Sequence, residues 1–126
     1  MNAPLPTERQ VQRSIKAALR AQYRVVVHHS PNGAHYAGNP TSRFKQAGAM
    51  KGDGMIPGFP DLIVLWAGGG KLLEVKRSKG GVTSDDQRTT HAVLEDHGWP
   101  VSIVKSVEEA CDALDAAGAP KIGATT

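Results

Sequence analysis

The segment over residues 61–77 constrains the fold more than any other part of the chain. Residues 61–66 are strand formers without polar alternation, a pattern typical of a buried strand that is covered on both faces. Three consecutive glycines at 68–70 predict a turn, and residues 71–77 predict the returning strand. The sequence therefore predicts a β-hairpin.

Helices and shorter strands are predicted on either side of this hairpin. Thr7 with Gln10, Ser84 with Gln87 and Ser106 with Glu109 have the spacing of capping boxes, which start helices. The predicted helices cover residues 8–22, 84–98 and 106–118, with a short one at 42–47, and the remaining predicted strands cover 23–29 and 101–104. We expect one domain over residues 7–118 between flexible tails at 1–6 and 119–126.

Charge is distributed unevenly along the chain. The net charge of +3 combines +8 in residues 1–84 with −5 in residues 85–126. A strongly basic part favours a polyanionic partner, although the same charges would also suit an ordinary solvated surface. Its only carboxylates are Glu8, Asp53, Asp61 and Glu74, and three of these four belong to the site predicted below.

Several classes of protein are excluded by what the chain lacks. Its longest apolar run, residues 62–67, is far too short to span a membrane, and no secretory signal opens the sequence. Cys111 is the only cysteine, which excludes an internal disulfide and a cysteine-based zinc site. We therefore expect a cytoplasmic protein without membrane contact.

Two carboxylates and a lysine are expected to converge on the hairpin. Glu74 and Lys76 share one face of the second strand, because strand side chains alternate, and pairing of the hairpin brings Asp61 near Glu74. Neighbouring carboxylates repel each other, and a half-buried lysine loses hydration. A divalent cation such as Mg²⁺ would relieve both costs. The simpler alternative is a surface salt bridge between Glu74 and Lys76.

Here the chain resembles the PD-(D/E)xK nuclease superfamily, and more narrowly a stand-alone VRR-NUC domain of the phage and bacterial kind. The resemblance covers residues 7–117 and is carried by the segments Gly58-Phe59-Pro60-Asp61-Leu62 and Leu73-Glu74-Val75-Lys76, with Glu8, Pro31-Asn32-Gly33, Gln87 and the strand after Gly98. It implies a restriction-endonuclease-like α/β core, with a mixed central sheet of about four strands flanked by helices. It also implies metal-dependent hydrolysis of phosphodiester bonds.

The resemblance also assigns roles to individual residues. Asp61 and Glu74 would bind Mg²⁺ or Mn²⁺ together with the Val75 backbone carbonyl, and Lys76 would be the catalytic lysine. Glu8 would project toward the metal or its water, unless it is only a first-turn carboxylate favoured by the helix dipole. Gln87 would support the site, unless it serves only as the capping partner of Ser84.

Basic residues outside this group are candidates for phosphate contacts. They are Arg43, Lys45, Lys51, Arg77 and Lys79, and each could equally be an ordinary surface charge. Members of this family often have an arginine soon after the Pro-Asn-Gly segment, whereas here the segment before Arg43 is longer, which leaves the alignment of Arg43, Lys45 and Lys51 open. His28 or His29 could also face the site from the neighbouring strand.

The leading prediction is a structure-selective DNA endonuclease, and the resemblance suggests that it is a symmetric homodimer that cuts branched DNA, such as a Holliday junction. No helix-turn-helix, zinc finger or other sequence-reading motif is recognisable, so recognition would depend on backbone shape and charge. The alternatives are a flap or nonspecific DNA nickase, and a nucleic-acid-binding module without catalysis.

Overall fold

The computed structural model describes residues 4–30 and 54–123. In chain order the elements are α1 (Glu8–Gln22), β1 (Val26–His29), β2 (Leu62–Trp66), β3 (Gly69–Val75), α2 (Asp85–Asp96), β4 (Val101–Val104) and α3 (Val107–Ala117). This order confirms the sequence prediction for the described part of the chain. The short helix predicted at 42–47 lies outside the described residues.

The four strands form one mixed sheet in the order β1-β2-β3-β4. β1 pairs antiparallel with β2, and β2 with β3, while β4 runs parallel to β3. The parallel pair requires a crossover connection, which α2 supplies. The α/β fold with a mixed central sheet is thus confirmed.

Side-chain caps fix the starts of the helices, as their sequences predict. Thr7 with Gln10 and Ser84 with Gln87 form complete capping boxes at α1 and α2. At α3 only half of the predicted box forms: Ser106 accepts from the Glu109 N–H, but the Glu109 carboxylate accepts from the Lys105 N–H at 2.9 Å.

No helix of residues 4–30 and 54–123 is long and apolar enough to cross a membrane.

The hydrophobic core lies between α1, α3 and one face of the sheet. α1 contributes Val11, Ile15 and Leu19, whose spacing puts them on one side of the helix. The sheet contributes Val27, Leu62, Val64, Leu73, Val75 and Val104, and α3 contributes Ala110 and Leu114. Alternation along the strands sends the intervening side chains to the opposite face.

The described residues cover the opposite face only in part, so the prediction that β2 is buried on both faces is wrong. Ile63 is half-buried, and Leu65 is 47% exposed. The cause is the position of α2, which packs against β4 and the far end of β3. One helix is too narrow to cover all four strands.

Tyr23 ends α1 instead of starting β1. Its N–H caps the helix by donating to the Leu19 carbonyl, and its buried hydroxyl donates to Asp115 Oδ1 at 2.6 Å. β1 therefore begins three residues later than predicted, at Val26. Residues 120–122, predicted to lie in a flexible tail, hydrogen-bond to this corner, since Arg24 donates to Pro120 and Ile122 to Gln22.

Candidate active site

Asp61 is fixed immediately before β2 by contacts with both neighbouring strands. Its Oδ2 accepts the Val75 N–H at 2.8 Å, and its backbone carbonyl accepts the Ser30 N–H at 2.7 Å. Pro60 is fully buried beside it, where a residue without an N–H group suits the start of a strand. The pairing of Leu62 with Leu73, continued by one residue, places Asp61 opposite Glu74.

Glu74 and Lys76 lie on the face that α2 covers, as their alternation predicts. Glu74 is completely buried, and Lys76 is only 6% exposed. The Lys76 Nζ lies 3.9 Å from Glu74 Oε2, too far for a direct hydrogen bond. A buried pair of charges needs additional polar partners, and Gln87 provides them.

Gln87 connects the helix start with both charged side chains. Its Oε1 accepts from the Ser84 N–H at 2.9 Å and from Lys76 Nζ at 2.8 Å, while its Nε2 donates to Glu74 Oε2 at 3.1 Å. The cap and the site contact, which the sequence presents as alternatives, are both formed. A side-chain amide has two acceptor lone pairs and two donors, so the roles are compatible.

Gly58 allows the loop before Asp61 to pack directly against the start of α2. Its φ of +77° lies in the left-handed region, and a Cβ there would be 2.3 Å from the Asp86 carbonyl oxygen. Thr90 strengthens the contact, since its hydroxyl donates to the Pro57 carbonyl at 2.6 Å. The close approach sets the distance between the helix that carries Gln87 and the strand that begins after Asp61.

Electrostatics at this site oppose the ionised form of Glu74. Burial is the main cause that raises the pKa of Glu74 to about 9, followed by a hydrogen bond to Asp61 and by the Asp61 charge. Lys76 opposes this shift, and Glu8 adds to it. Among the described residues, no hydrogen-bond donor reaches Glu74 Oε1. The carboxyl thus has one oxygen without a hydrogen-bond partner in the described residues, and its surroundings favour the protonated form.

Glu8 belongs to the same electrostatic environment although it is exposed at the first turn of α1. Burial raises the pKa of Glu8, Lys76 and Arg77 oppose the shift, and Asp61 adds to it. His29 is close as well: burial and then Lys16 lower its pKa, and Asp61 acts in the opposite direction. The structure therefore brings Glu8 and His29 into the neighbourhood of Asp61.

His91 also reaches the site, although it is absent from the residues predicted above. Its Nε2 is buried without a hydrogen-bond partner in the described residues and lies 3.4 Å from Glu74 Oε1. Burial and then the Lys76 charge lower the pKa of His91, which favours the neutral ring. The available signal was its spacing, because His91 follows Gln87 by four residues and so shares its helix face.

The donor set is compatible with a hard divalent cation. Asp61, Glu74 and the Val75 carbonyl offer oxygen atoms, the ligands that Mg²⁺ prefers, and the unpartnered Glu74 Oε1 is an available donor. Over residues 4–30 and 54–123, no three His, Cys, Asp or Glu side chains are grouped to hold a metal by themselves. Two carboxylates are sufficient for Mg²⁺, which retains several of its waters.

The predicted phosphate-binding residues are described only in part. Arg77 and Lys79 are exposed just beyond β3. Arg43, Lys45 and Lys51 lie outside the described residues.

The chain is similar to a known protein family and to a solved structure. A family model described as the VRR-NUC domain matches residues 7–108. A solved structure described as a VRR_NUC domain protein superposes with a TM-score of 0.67 over 92% of this chain and 91% of that chain, at 20% sequence identity. A likeness at that identity shows the fold alone. No curated protein matches the chain.

Proposed function

The chain belongs to the VRR-NUC domain family, and from this premise we propose that it is a Mg²⁺- or Mn²⁺-dependent endonuclease that hydrolyses phosphodiester bonds in DNA. The family is nuclease-like, which makes DNA the expected substrate. The nuclease domain would comprise residues 7–118. Asp61, Glu74, Lys76, Gln87 and Glu8 would form its active site.

The observation that carries this proposal is the buried group of Asp61, Glu74 and Lys76. A completely buried carboxyl with a pKa raised to about 9, opposite a second carboxylate, is costly for folding. Ordinary core packing would favour apolar side chains at these positions, because buried ion pairs seldom add stability. Strongly shifted groups of this kind cluster at functional sites.

The side chains around the site would divide the chemistry among them. Asp61, Glu74 and the Val75 carbonyl would hold the cation, which when bound lowers the pKa of a water and stabilises charge on the phosphate. Gln87 fixes the Lys76 ammonium at 2.8 Å. Lys76 would orient the attacking water and neutralise the charge that develops on the phosphate oxygens. Glu8 would contact the metal or its water from the first turn of α1.

We further propose branched DNA as the preferred substrate, in the manner of a Holliday-junction resolvase, and a homodimer as the active form. Support comes from the charge distribution: a net +8 over residues 1–84 suits the backbone of several DNA arms, and the net −5 over residues 85–126 would turn away from them. Two sites related by a two-fold axis could nick two strands symmetrically.

The test is cleavage of labelled four-way junctions, flaps, single strands and linear duplexes, with Mg²⁺, Mn²⁺ or EDTA. We expect metal-dependent nicking that is fastest on the junction. Asp61→Asn is the matched control, because an amide oxygen can still accept the Val75 N–H while its charge is lost; it should bind DNA and cut none.

Each other result supports a different function. Faster cleavage of flaps or of duplex would favour the nickase alternative. Metal-independent DNA binding without cleavage would indicate a nucleic-acid-binding module. Cleavage by Asp61→Asn at the wild-type rate would refute the site assignment.

A further inference from the structure

The solvent-facing side of α1 carries a row of cations that the site described above does not use. We name this row the α1 basic stripe; it consists of Arg9, Arg13, Lys16 and Arg20. Their spacings of four, three and four residues keep them on one side of a helix. Val11, Ile15 and Leu19 occupy the buried side. The arginines are exposed, and Lys16 is half-buried.

Contacts within residues 4–30 and 54–123 account for only one member of the stripe. Arg20 Nη2 donates to the Val27 carbonyl at 3.0 Å and so satisfies an acceptor of the edge strand β1. In the described part of the chain, no carboxylate forms an ion pair with Arg9, Arg13 or Lys16. Like charges three or four residues apart destabilise a helix, so the fold gains nothing from this arrangement.

The stripe begins beside the active site. Arg9 follows Glu8 directly, and the charges of Lys76, Asp61 and Arg77 all act on the pKa of Glu8. Farther along the helix, the charge of Lys16 acts on the pKa of His29, as does that of Asp61. Arg77 and the stripe residues on the first two turns of α1 thus lie at the same end of the sheet.

We propose that the α1 basic stripe binds the phosphate backbone of the DNA strand that enters the active site. The proposal rests on the proposed nuclease function and specifies its DNA path, which the described residues do not otherwise define beyond Arg77 and Lys79. From Arg9 to Arg20 the helix advances about 16 Å at 1.5 Å per residue. That length matches about five phosphates of one strand, at 3.4 Å of helix axis each. Arginine and lysine contacts to phosphate position DNA without reading its sequence, as a structure-selective enzyme requires.

The test compares two double variants that each remove two positive charges. Arg9→Gln with Arg13→Gln changes the two exposed stripe arginines that contact no backbone carbonyl of the described residues. Lys71→Gln with Lys121→Gln is the control at the other end of the sheet, where Lys71 lies within β3 and donates to the Pro100 carbonyl, and Lys121 pairs with Asp115 beside Tyr23. Binding of a fluorescent duplex and of a junction is measured in EDTA at several salt concentrations, with melting curves to verify folding.

The expected result is a smaller salt dependence in the stripe variant alone. If both arginines contact phosphates, the slope of log K against log salt should shrink in magnitude by about 1.8, which corresponds to ~60-fold weaker binding at 0.1 M salt. The control should keep the wild-type slope within about 0.5, because neither lysine is expected to contact DNA and only long-range attraction is lost. Mg²⁺ affinity, measured by calorimetry without DNA, should remain within about two-fold in both.

Three outcomes would overturn the inference. A wild-type enzyme that cleaves DNA while the stripe variant keeps its slope would refute the stripe and leave the nuclease proposal intact. Equal slope losses in both double variants would show a general charge effect. If the stripe variant has a smaller salt dependence on duplex RNA but not on DNA, the stripe binds RNA and the inference is wrong. Failure of the wild type to bind or cut any DNA would instead refute the proposed function itself.

Discussion

At the scale of single residues, Glu74 is the side chain whose ionisation the fold opposes most. Its folded-state pKa of about 9 exceeds its ordinary value of 4.5, so the folded protein retains a proton that the unfolded chain has lost at neutral pH. Without metal, the contribution of Glu74 to the free energy of unfolding should therefore be greatest below about pH 4.5 and should decrease as the pH rises toward 9. A bound cation would reverse this trend, because it requires the carboxylate.

The corresponding prediction concerns Glu74→Gln, which imitates the protonated carboxyl. In EDTA at pH 8 its melting temperature should exceed that of the wild type by at least about 3 °C, a difference that fades toward pH 4.5. Added Mg²⁺ should stabilise the wild type but not the variant. Melting curves from pH 4.5 to 9 measure both effects, with Glu108→Gln as an exposed control on α3. Parallel wild-type and variant curves would contradict the raised pKa.

A second residue-scale prediction concerns His91, which we expect to position Glu74. Gln87 donates to one carboxyl oxygen, and the His91 ring lies 3.4 Å from the other without a hydrogen bond, so two successive turns of α2 lie against the carboxyl. His91→Phe should weaken Mg²⁺ and Mn²⁺ binding to a similar extent, by about 10- to 100-fold, while His91→Gln should recover part of the loss. Calorimetry with each metal measures this effect. A loss confined to Mn²⁺ would instead make His91 a ligand, since imidazole suits softer metals.

The sequence predicted the placement of the charged residues better than the polar contacts between them. Strand alternation and the hairpin turn were enough to bring Asp61, Glu74 and Lys76 together. They could not show that Gln87 caps its helix and bonds two site residues at once, since that depends on how closely α2 approaches the sheet. His91 was missed for a related reason: a single histidine has no ligand spacing, and only the packed helix brings it to Glu74.

At the scale of elements, the contact between the loop at Gly58 and the start of α2 determines the geometry of the site. Gly58→Ala should shift α2, because its Cβ would lie 2.3 Å from a backbone oxygen and the left-handed φ disfavours a side chain. We expect a loss of about 2–4 kcal/mol in the free energy of unfolding and at least ~10-fold in the cleavage rate. Denaturant melts and single-turnover assays measure the two effects.

Gly54→Ala is the matched control for this prediction. Gly54 also has a left-handed φ, of +100°, but a Cβ there would meet no atom of the described residues within 4 Å. Gly54→Ala should therefore lose about 1–2 kcal/mol in the free energy of unfolding, the cost of a left-handed backbone with a side chain, and should keep the wild-type cleavage rate. If both variants behave alike, the approach of the loop to α2 does not control the site.

Elements were predicted well where local signals dominate and less well where packing decides. Capping boxes located the helix starts to within a residue, and the antiparallel hairpin follows from its turn. The turn itself is tighter than predicted, because Gly69 and Gly70 join β3, where a Cβ would press on Trp66 and Leu65 respectively. The uninterrupted apolar residues of β2 predicted that both of its faces are buried. The sequence could not show that α2 covers the second face only at the end that carries Glu74 and Lys76.

At the scale of the whole molecule, the uncovered part of the sheet is the surface on which we expect two copies to meet. Val26 and Leu65 are register partners on this face, and they are 66% and 47% exposed. A Cβ on Gly70 would touch both Leu65 and Trp99, so these side chains are contiguous, and Ile103 lies on the same face. Contiguous exposed apolar side chains are typical of protein interfaces, whereas isolated ones are not.

Homodimerisation through this face gives the last prediction. The wild type should have twice the 13.3 kDa mass of the chain in light scattering at micromolar concentration. Leu65→Glu should be monomeric and should keep its fold and Mg²⁺ affinity, because Leu65 lies outside the core and the site. Ile122→Glu, which replaces a 54% exposed apolar residue after α3, should remain dimeric.

A symmetric junction cutter needs two linked sites, so the Leu65→Glu monomer should nick one strand of a junction and fail to resolve it symmetrically. A monomeric wild type that resolves junctions symmetrically would contradict the dimer, and a dimer that persists in Leu65→Glu would place the interface on another surface.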